Sequence, residues 1–284
     1  MPANEKEDYM KLREYPELSP EEKKMPLSKY YNIPISPIDP IRQQVMNAGP
    51  MDPNEALKAE NFLDLFNTEG YCRHELGYCM MPDGSGYMTI YEVADNPRVT
   101  PEMKQWYHNW INFYSKSMVP DQGNLRYKIW MPLDHIDHAY VNGKDTSGGV
   151  YSLETLDLGA GSRAIPTYRY RINPREYGLT EEMENKLKAA GCSISVSWES
   201  FDEPGSHFLA SITRPCPLGG VETLRREWIG WRPENGRLVR DESTPCDEEF
   251  LKNIIIHNTM EHYHLQKFLP ELYAEYKDQP IDAD

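Results

Sequence analysis

A long segment near the C-terminus has the periodicity of an amphipathic helix, and ionisable side chains lie within its apolar face. Residues 250–268 place apolar side chains on one side of a helical wheel, because positions i, i+4 and i+7 of a helix share a face. His257, Glu261 and His264 fall within the same stripe. A helix of this kind packs its apolar side against another layer of the fold, so we expect these groups to point inward.

Capping and proline signals predict the bounds of this helix. Thr244 is the predicted N-cap, and Pro245 is the predicted first helical residue, where a missing backbone N–H is tolerated. Asp247 adds negative charge to the first turn, which the helix dipole favours. Pro270 is expected to end the helix or to break it into a second piece.

The inward pair His257 and Glu261 has two explanations. Because burial of an unpaired charge is unfavourable, the two side chains could form a buried histidine–glutamate ion pair. They could instead bind one shared metal ion, since side chains four residues apart on a helix lie close together, as in the HExxH zinc motif. Two ligands make half a zinc site, so the second explanation requires further ligands from the rest of the chain.

Composition limits the classes of protein and partner. The 39% hydrophobic content of 284 residues supports a substantial core. A net charge of −15 argues against binding to nucleic acid or to an anionic membrane. The five cysteines are scattered and form no CxxC motif, which fits a reducing compartment. No signal peptide and no apolar run of membrane-spanning length is found, so we expect a cytoplasmic protein.

The N-terminal part of the chain differs in texture from the rest. Residues 1–50 are rich in proline and charge and are predicted to form an extended arm, followed by a helix over 52–66. We therefore divide the chain into an N-terminal accessory segment, residues 1–68, and a metal-binding catalytic domain, residues 69–284.

Strand-like stretches dominate the second part. Helices are predicted only from Thr100-Pro101 to Ser117, in LTEEMENKLKAAG, and at the C-terminus. The predicted strands are GYCRHELGYCMM and GYMTIYEVA around the turn PDGS, then LRYKIWM, VYSLETLDL, RAIPTYRYRI, CSISVSWESF, SHFLASITR (after the turn DEPG) and ETLRREWIGW.

Many antiparallel strands followed by one long helix predict an α+β fold. We expect a curved antiparallel sheet that grips the C-terminal helix, with the N-terminal arm as an accessory helical segment. Such a fold leaves an apolar cavity between sheet and helix, which is a common place for a small-molecule site. His257 and Glu261 would face that cavity.

Other candidate ligands lie at strand ends. His135 and His138 follow an aromatic-rich stretch and are either ligands at the cavity or members of a polar turn. Glu154 lies within an apolar strand, and alternation does not decide whether its face or that of Leu153 is inward. His207 opens a strand, where it could cap the strand, orient substrate or transfer a proton.

Several of these stretches resemble the diacetylphloroglucinol hydrolase and phloretin hydrolase family. The resemblance covers most of the chain after about residue 70 and lies in RYKIWMPLDH, the glutamate of YSLETLDL, the histidine of SHFLA, and IIIHNTMEH. It implies a helix-grip domain similar to plant Bet v 1 proteins. It also implies a Zn²⁺ ion held between two histidines and two glutamates.

The family pattern assigns roles to residues of this chain. Tyr127 corresponds to a substrate-binding tyrosine, and His207 to a catalytic or substrate-orienting histidine. Where the family has an asparagine, this chain has His138, which is therefore a candidate substrate contact or a rival metal ligand; His264 is a second rival. The implied metal ligands are His135, Glu154, His257 and Glu261.

The resemblance implies a zinc-dependent hydrolase. Its reaction would cleave the carbon–carbon bond between an acyl group and a polyhydroxylated aromatic ring. The substrate would be a small acylated polyphenol, and the enzyme would be a homodimer. Three alternatives remain: a non-catalytic carrier of a hydrophobic ligand, a metal-dependent hydrolase of another β-diketone, and a structural protein that assembles through its proline-rich arm.

Overall fold

The computed structural model describes residues 14–93, 96–112, 118–119, 123–142, 145–156, 163–201 and 205–280. Five sequence predictions fall partly outside these ranges. They are the first thirteen residues of the arm, the end of the helix predicted to reach Ser117, the last residue of GYMTIYEVA, the last two residues of VYSLETLDL, and most of the turn DEPG.

The described secondary structure consists of one large sheet, two small ones, and helices before and after them. The α-helices are α1 (Ser28–Tyr31), α2 (Pro40–Asn47), α3 (Pro101–Ile111), α4 (Leu125–Lys128), α5 (Glu181–Ala189), α6 (Glu248–Gln266) and α7 (Leu269–Tyr276). The strands are β1 (Gly77–Met80), β2 (Gly86–Val93), β3 (Met118–Val119), β4 (Gly123–Asn124), β5 (His135–Asn142), β6 (Asp145–Glu154), β7 (Ile165–Arg171), β8 (Ser193–Phe201), β9 (Ser206–Pro215), β10 (Val221–Ile229), β11 (Trp231–Glu234) and β12 (Arg237–Arg240). The 3₁₀-helices are Glu22–Lys24, Pro53–Glu55, Ala59–Leu65 and Pro174–Tyr177.

Eight strands form a single antiparallel sheet in the order β1-β2-β10-β9-β8-β7-β6-β5. Apolar side chains on one face of β9 and β10, such as Phe208 and Trp228, pack on Phe62 and on α5. On the other face, Met88 and Ile90 of β2 pack against Ile255 of α6. Both faces are therefore covered, and the site described below lies on the α6 face.

The prediction of a helix-grip, Bet v 1-like fold is wrong in its central element. Instead of one long terminal helix held by a curved sheet, the structure has a 19-residue α6 and a separate 8-residue α7. The helix breaks at Phe268, whose φ of −126° and ψ of −10° are not helical, and Pro270 in the first turn of α7 has no N–H to donate. Among the strands of the large sheet, α6 packs mainly on β1 and β2. The shorter α7 packs on α3 instead.

The start of α6 also differs from the prediction. Asp247 caps the helix by accepting a 2.8 Å hydrogen bond from the Phe250 N–H, while Thr244 accepts one from the Ser206 N–H at 2.9 Å. Gly86 lets β2 approach this end of the helix, because a Cβ there would lie 2.6 Å from Leu251 Cδ2.

The predicted strand LRYKIWM is instead the helical turn α4. Asn124 caps it by accepting the Arg126 N–H at 2.9 Å, and the Arg126 guanidinium lies buried over the Trp110 ring. Tyr107 of α3 donates its hydroxyl to the Arg126 carbonyl oxygen at 2.7 Å. These contacts to α3 favour a helical turn over a strand at this point of the chain.

The described part of the N-terminal segment packs on the C-terminal helices. Leu27 and Tyr30 share a buried cluster with Leu272 of α7 and Trp110 of α3. The predicted helix over 52–66 is replaced by two 3₁₀-helices. The division of the chain near residue 68 stays a prediction.

None of the described helices is both long enough and apolar enough to cross a membrane.

Candidate metal centre

Two adjacent strand ends and one helix bring four potential metal ligands together. His135 begins β5 and Glu154 ends β6, and the antiparallel register pairs these two residues directly. His257 and Glu261 are separated by one turn of α6 and project from the same side of that helix. Glu154 therefore lies on the inward face, which answers the question that strand alternation left open.

The donor atoms lie at distances that suit a single metal ion. His135 Nε2 is 3.3 Å from Glu154 Oε2 and 3.2 Å from Glu261 Oε2. His257 Nε2 is 3.8 Å and 3.6 Å from the same two oxygens. In a tetrahedral zinc site with bonds of about 2.0–2.1 Å, neighbouring ligand atoms lie about 3.3–3.4 Å apart. The two distances from His135 match this spacing, and the two from His257 are slightly longer, so the four donor atoms could surround one metal ion.

The bonding of the imidazoles supports the same conclusion. His135 Nε2 is buried, and among the described residues it makes no hydrogen bond of good geometry despite the two nearby carboxylates. Donor atoms of His135, His257 and Glu261 all lie within 4.8 Å of one another, and these three residues are buried. A buried nitrogen aimed at two carboxylates is the arrangement that a cation would satisfy.

Both imidazoles are held by their other ring nitrogen. His257 Nδ1 lies 2.7 Å from Asp134 Oδ2, and His135 Nδ1 lies 3.2 Å from the carbonyl oxygen of Tyr127. When Nδ1 carries the proton, Nε2 is left free to bind a metal. Asp134 is itself buried and accepts the hydroxyl of Thr155 at 2.8 Å. The sequence analysis missed Asp134, although its position beside His135 was a usable signal.

Electrostatics within the cluster are strongly coupled. Burial alone lowers the pKa of His135 and His257, but neighbouring carboxylates outweigh it and raise both pKa values. Burial raises the pKa of Glu154 and Glu261, but the imidazoles outweigh it and lower both. The two carboxylates thus need positive charge, which protons on the imidazoles or a metal ion can supply.

Tyr127 contacts two members of the cluster. Its hydroxyl donates to Glu154 Oε2 at 2.6 Å, and its ring stacks on that of His135 with centroids 3.7 Å apart. Burial and the charges of Glu154 and Glu261 raise the pKa of Tyr127, so its hydroxyl stays protonated. Its substrate-binding role stays a prediction.

His138 lies beside the cluster without belonging to it. Its Nδ1 is 2.9 Å from Ser152 Oγ, and its ring stacks on Tyr127 at a centroid distance of 4.5 Å. Burial and the charge of Arg169 lower the pKa of His138, which keeps the imidazole neutral.

His264 is buried against Phe268, and burial lowers its pKa to about 3. Among the described residues, the group of mutually close donor atoms consists of His135, His257 and Glu261 and includes neither rival. Glu154 is also outside that group, and it joins the site through its distances of 3.3 Å to His135 Nε2 and 3.8 Å to His257 Nε2.

His207 lies deeper, between two other carboxylates. Its Nδ1 is 3.1 Å from Glu199 Oε2, and its Nε2 is 2.8 Å from Glu227 Oε2. Burial lowers the pKa of His207, but Glu227 and Glu199 outweigh it and raise that pKa. Glu199 in turn pairs with Arg169. The predicted catalytic role of His207 stays a prediction; sequence analysis missed its partners Glu199 and Glu227.

Comparisons with known proteins find similar sequences along most of the chain. The sequence model of the DAPG hydrolase PhiG domain matches residues 57–274, which is most of the chain. The chain is 27% identical to the phloretin hydrolase of Eubacterium ramulus over 91% of its own length and 93% of that protein. It is 23% identical to a 2,4-diacetylphloroglucinol hydrolase of a Pseudomonas species, over 88% of each chain, and 23% identical to that of Pseudomonas protegens.

Proposed function

The chain belongs to the DAPG hydrolase family and is a hydrolase, and we propose that it cleaves the carbon–carbon bond between an acyl group and a polyhydroxylated aromatic ring. In this reaction water adds its hydroxyl group to the acyl carbon. The ring carbon keeps the electron pair of the broken bond and takes up a proton. The products are a carboxylic acid and the free phenolic ring.

The convergence of two imidazoles and two carboxylates is the observation that supports this function. His135, Glu154, His257 and Glu261 would hold a zinc ion, and each has a donor atom within 3.2–3.8 Å of a partner's. A zinc ion in such a site polarises a carbonyl group and lowers the pKa of water. Either effect would assist the attack of water on a ketone.

The protein side chains around the site would hold these groups in place. Asp134 orients the imidazole of His257. The indole N–H of Trp130 donates to the backbone carbonyl oxygen of Glu261 at 3.1 Å. Tyr127 keeps the Glu154 carboxylate in place and is suited to contact a ring hydroxyl of the substrate. His138 presents a neutral imidazole next to Tyr127, where it too could contact the ring.

The chemistry of the substrate explains why no nucleophilic side chain is required. A phloroglucinol ring that takes up a proton at its acyl-bearing carbon becomes a cyclic ketone resembling a β-diketone. After water attacks the acyl carbonyl, the ring leaves as a stabilised enolate. The site therefore needs to activate water and to stabilise negative charge on ring oxygens.

Metal quantification combined with a substrate screen tests the proposal. Purified protein should contain about one zinc ion per chain and should release acid from phloretin or from an acylphloroglucinol. His257→Ala and Glu261→Gln should lose both metal and turnover. His74→Ala is the matched control, because His74 pairs with Glu55 at 2.6 Å on the surface. Undiminished turnover after complete metal removal would contradict the proposal.

A further inference from the structure

Arg169 of β7 brings a permanent positive charge to the metal-site face of the sheet. The register pairs Val150 with Arg169 and Glu154 with Ile165, so Arg169 and Glu154 project from the same face. The Arg169 side chain keeps 47% of its surface exposed while it pairs with Glu199. Arg169 is thus accessible to a molecule that binds over this face.

The charge of Arg169 reaches several groups that surround the proposed substrate position. It lowers the pKa of Tyr127 and of His138, and it lowers that of His108 on α3, although burial is the largest influence on all three. The charges of Glu199 and Glu154 outweigh burial and raise the pKa of Arg169 itself. The contact of Arg169 with Glu199 and its place on the Glu154 face of β7 agree with these influences.

A row of paired charges behind Arg169 fixes its position. Glu199 contacts both Arg169 and His207, and Glu227 contacts both His207 and Arg225. When His207 is protonated, the cations are Arg169, His207 and Arg225. The anions are Glu199 and Glu227. The row therefore has a surplus of one positive charge, and its accessible end is Arg169.

We infer that Arg169 binds an oxygen of the substrate ring and stabilises the negative charge that this oxygen gains when the acyl group leaves, with Glu199 and His207 as positioning residues. This assignment rests on the proposed function, because it concerns the ring released in that reaction. Because the acyl-bearing ring carbon has taken up its proton before cleavage, the electron pair of the broken carbon–carbon bond delocalises onto the ring oxygens as an enolate, and a ring oxygen is protonated after the acyl group leaves. A guanidinium group suits this role because it remains charged at all working pH values and can donate two parallel hydrogen bonds.

The same arrangement gives His207 a role without substrate contact. Both of its ring nitrogens face carboxylates, and its side chain is buried. As an imidazolium it holds Glu199 in the orientation that pairs with Arg169. His207 variants should therefore resemble weakened Arg169 variants.

Binding of phloroglucinol, the ring without an acyl group, tests this inference separately from turnover. Calorimetry on the zinc-loaded protein should show that Arg169→Gln weakens binding, and kcat/KM for an acylated phenol should fall about 100-fold, as when an oxyanion donor is removed. Arg169→Lys should retain more of both. Arg175→Gln is the matched control, since Arg175 pairs with Glu184 at 2.6 Å on the surface, and it should change neither value.

The pH dependence distinguishes binding of an anion from a structural effect. Phloroglucinol affinity of the native protein should rise as pH rises and a ring hydroxyl ionises, and Arg169→Gln should abolish this rise. Millimolar guanidinium should partly restore turnover to Arg169→Ala and should not affect Arg175→Ala. A folded Arg169→Gln variant with unchanged affinity and unchanged pH profile would overturn the inference.

The remaining outcomes are also decisive. If Arg169→Gln does not fold, Glu199→Gln, which keeps the guanidinium and removes its charged partner, should lower kcat more than it raises KM, because the charge on the ring oxygen develops as the bond breaks; unaltered kinetics would reject the role. Arg169-dependent phloroglucinol binding without turnover of any acylated phenol would refute the proposed function and with it the catalytic part of the inference, and would retain Arg169 only as a binding group for a phenolic oxygen. A native protein that binds no phloroglucinol would overturn the inference.

Discussion

Asp134 Oδ2 lies 2.7 Å from His257 Nδ1, and both groups are buried. Asp134 directly precedes His135, so one dipeptide supplies a proposed metal ligand and the carboxylate that orients another. The Asp134 carboxylate fixes the tautomer of His257 and leaves Nε2 available to a metal. This contact joins the turn before β5 to the middle of α6, and it links the fold of the site to its chemistry.

Asp134→Asn should weaken metal binding without loss of the fold. Removal of a carboxylate behind a metal-binding histidine typically lowers metal affinity or activity about 10–100-fold. Competition with a chelator should reveal a higher zinc dissociation constant. Asp52→Asn is the control, because Asp52 caps a surface 3₁₀-helix by accepting the Asn54 N–H at 2.9 Å. Equal zinc affinity in the Asp134 and Asp52 variants would disprove the orienting role.

Tyr127→Phe should lower activity while the protein stays folded. The substitution removes the 2.6 Å hydrogen bond to Glu154 and keeps the stacking on His135. Since a hydrogen bond to a charged group contributes about 1.5–3 kcal/mol, we expect kcat/KM to fall about 10–100-fold. Tyr273→Phe, which removes a surface hydroxyl that donates to Glu102 at 2.8 Å, should leave kcat/KM unchanged. Normal kinetics in the Tyr127→Phe variant would exclude a role in the reaction for the Tyr127 hydroxyl and its hydrogen bond to Glu154.

His264→Leu should reduce the loss of stability in acid. Burial lowers the pKa of His264 to about 3 in the folded protein. In the unfolded chain the pKa of a histidine is about 6.5, as in model peptides. Between these pH values the unfolded state binds the extra proton, so native stability falls as pH falls, by at most about 1.4 kcal/mol per pH unit. Denaturant unfolding from pH 6.5 to 4 should show a shallower slope for the variant than for the native protein. Parallel slopes would show that His264 titrates normally.

Leu272→Ala should destabilise the protein through the contact between α7 and the N-terminal half of the chain. Leu272 has no exposed surface and packs in the cluster with Trp110 and Tyr30. Truncation of a buried leucine costs about 2–5 kcal/mol of the free energy of unfolding. Leu218→Ala is the matched control, because Leu218 is 96% exposed, and it should change that free energy by less than about 0.5 kcal/mol. Similar urea midpoints for both variants would show that α7 is not packed in this way.

Local signals were sufficient for several elements. Thr100 and Pro101 marked the start of α3, and the hydroxyl of Thr100 indeed accepts the Met103 N–H at 3.2 Å. Gly191 follows α5 with a φ of +71°, a conformation that favours glycine. These features depend on neighbouring residues alone, so the sequence contains what is needed to predict them.

Elements whose conformation depends on distant partners were predicted less well. The apolar alternation of LRYKIWM resembles a strand, yet burial of Arg126 over Trp110 holds it as α4. The single gripped helix was wrong because the break at Phe268 lets α7 pack on α3. Neither contact is visible in a local pattern of apolar residues.

The sequence by itself determined that His257 and Glu261 share one side of a helix, because helical periodicity fixes side-chain direction. It also identified His135 and Glu154 through a resemblance to a family. Only the tertiary structure decided that these four donor groups meet, that Asp134 orients one of them, and that Arg169 and His207 share a row of charges. The physical reason is strand register. Pairing of β5 with β6, of β7 with β8, and of β8 with β9 brings together residues far apart in the chain, and no local pattern encodes that register.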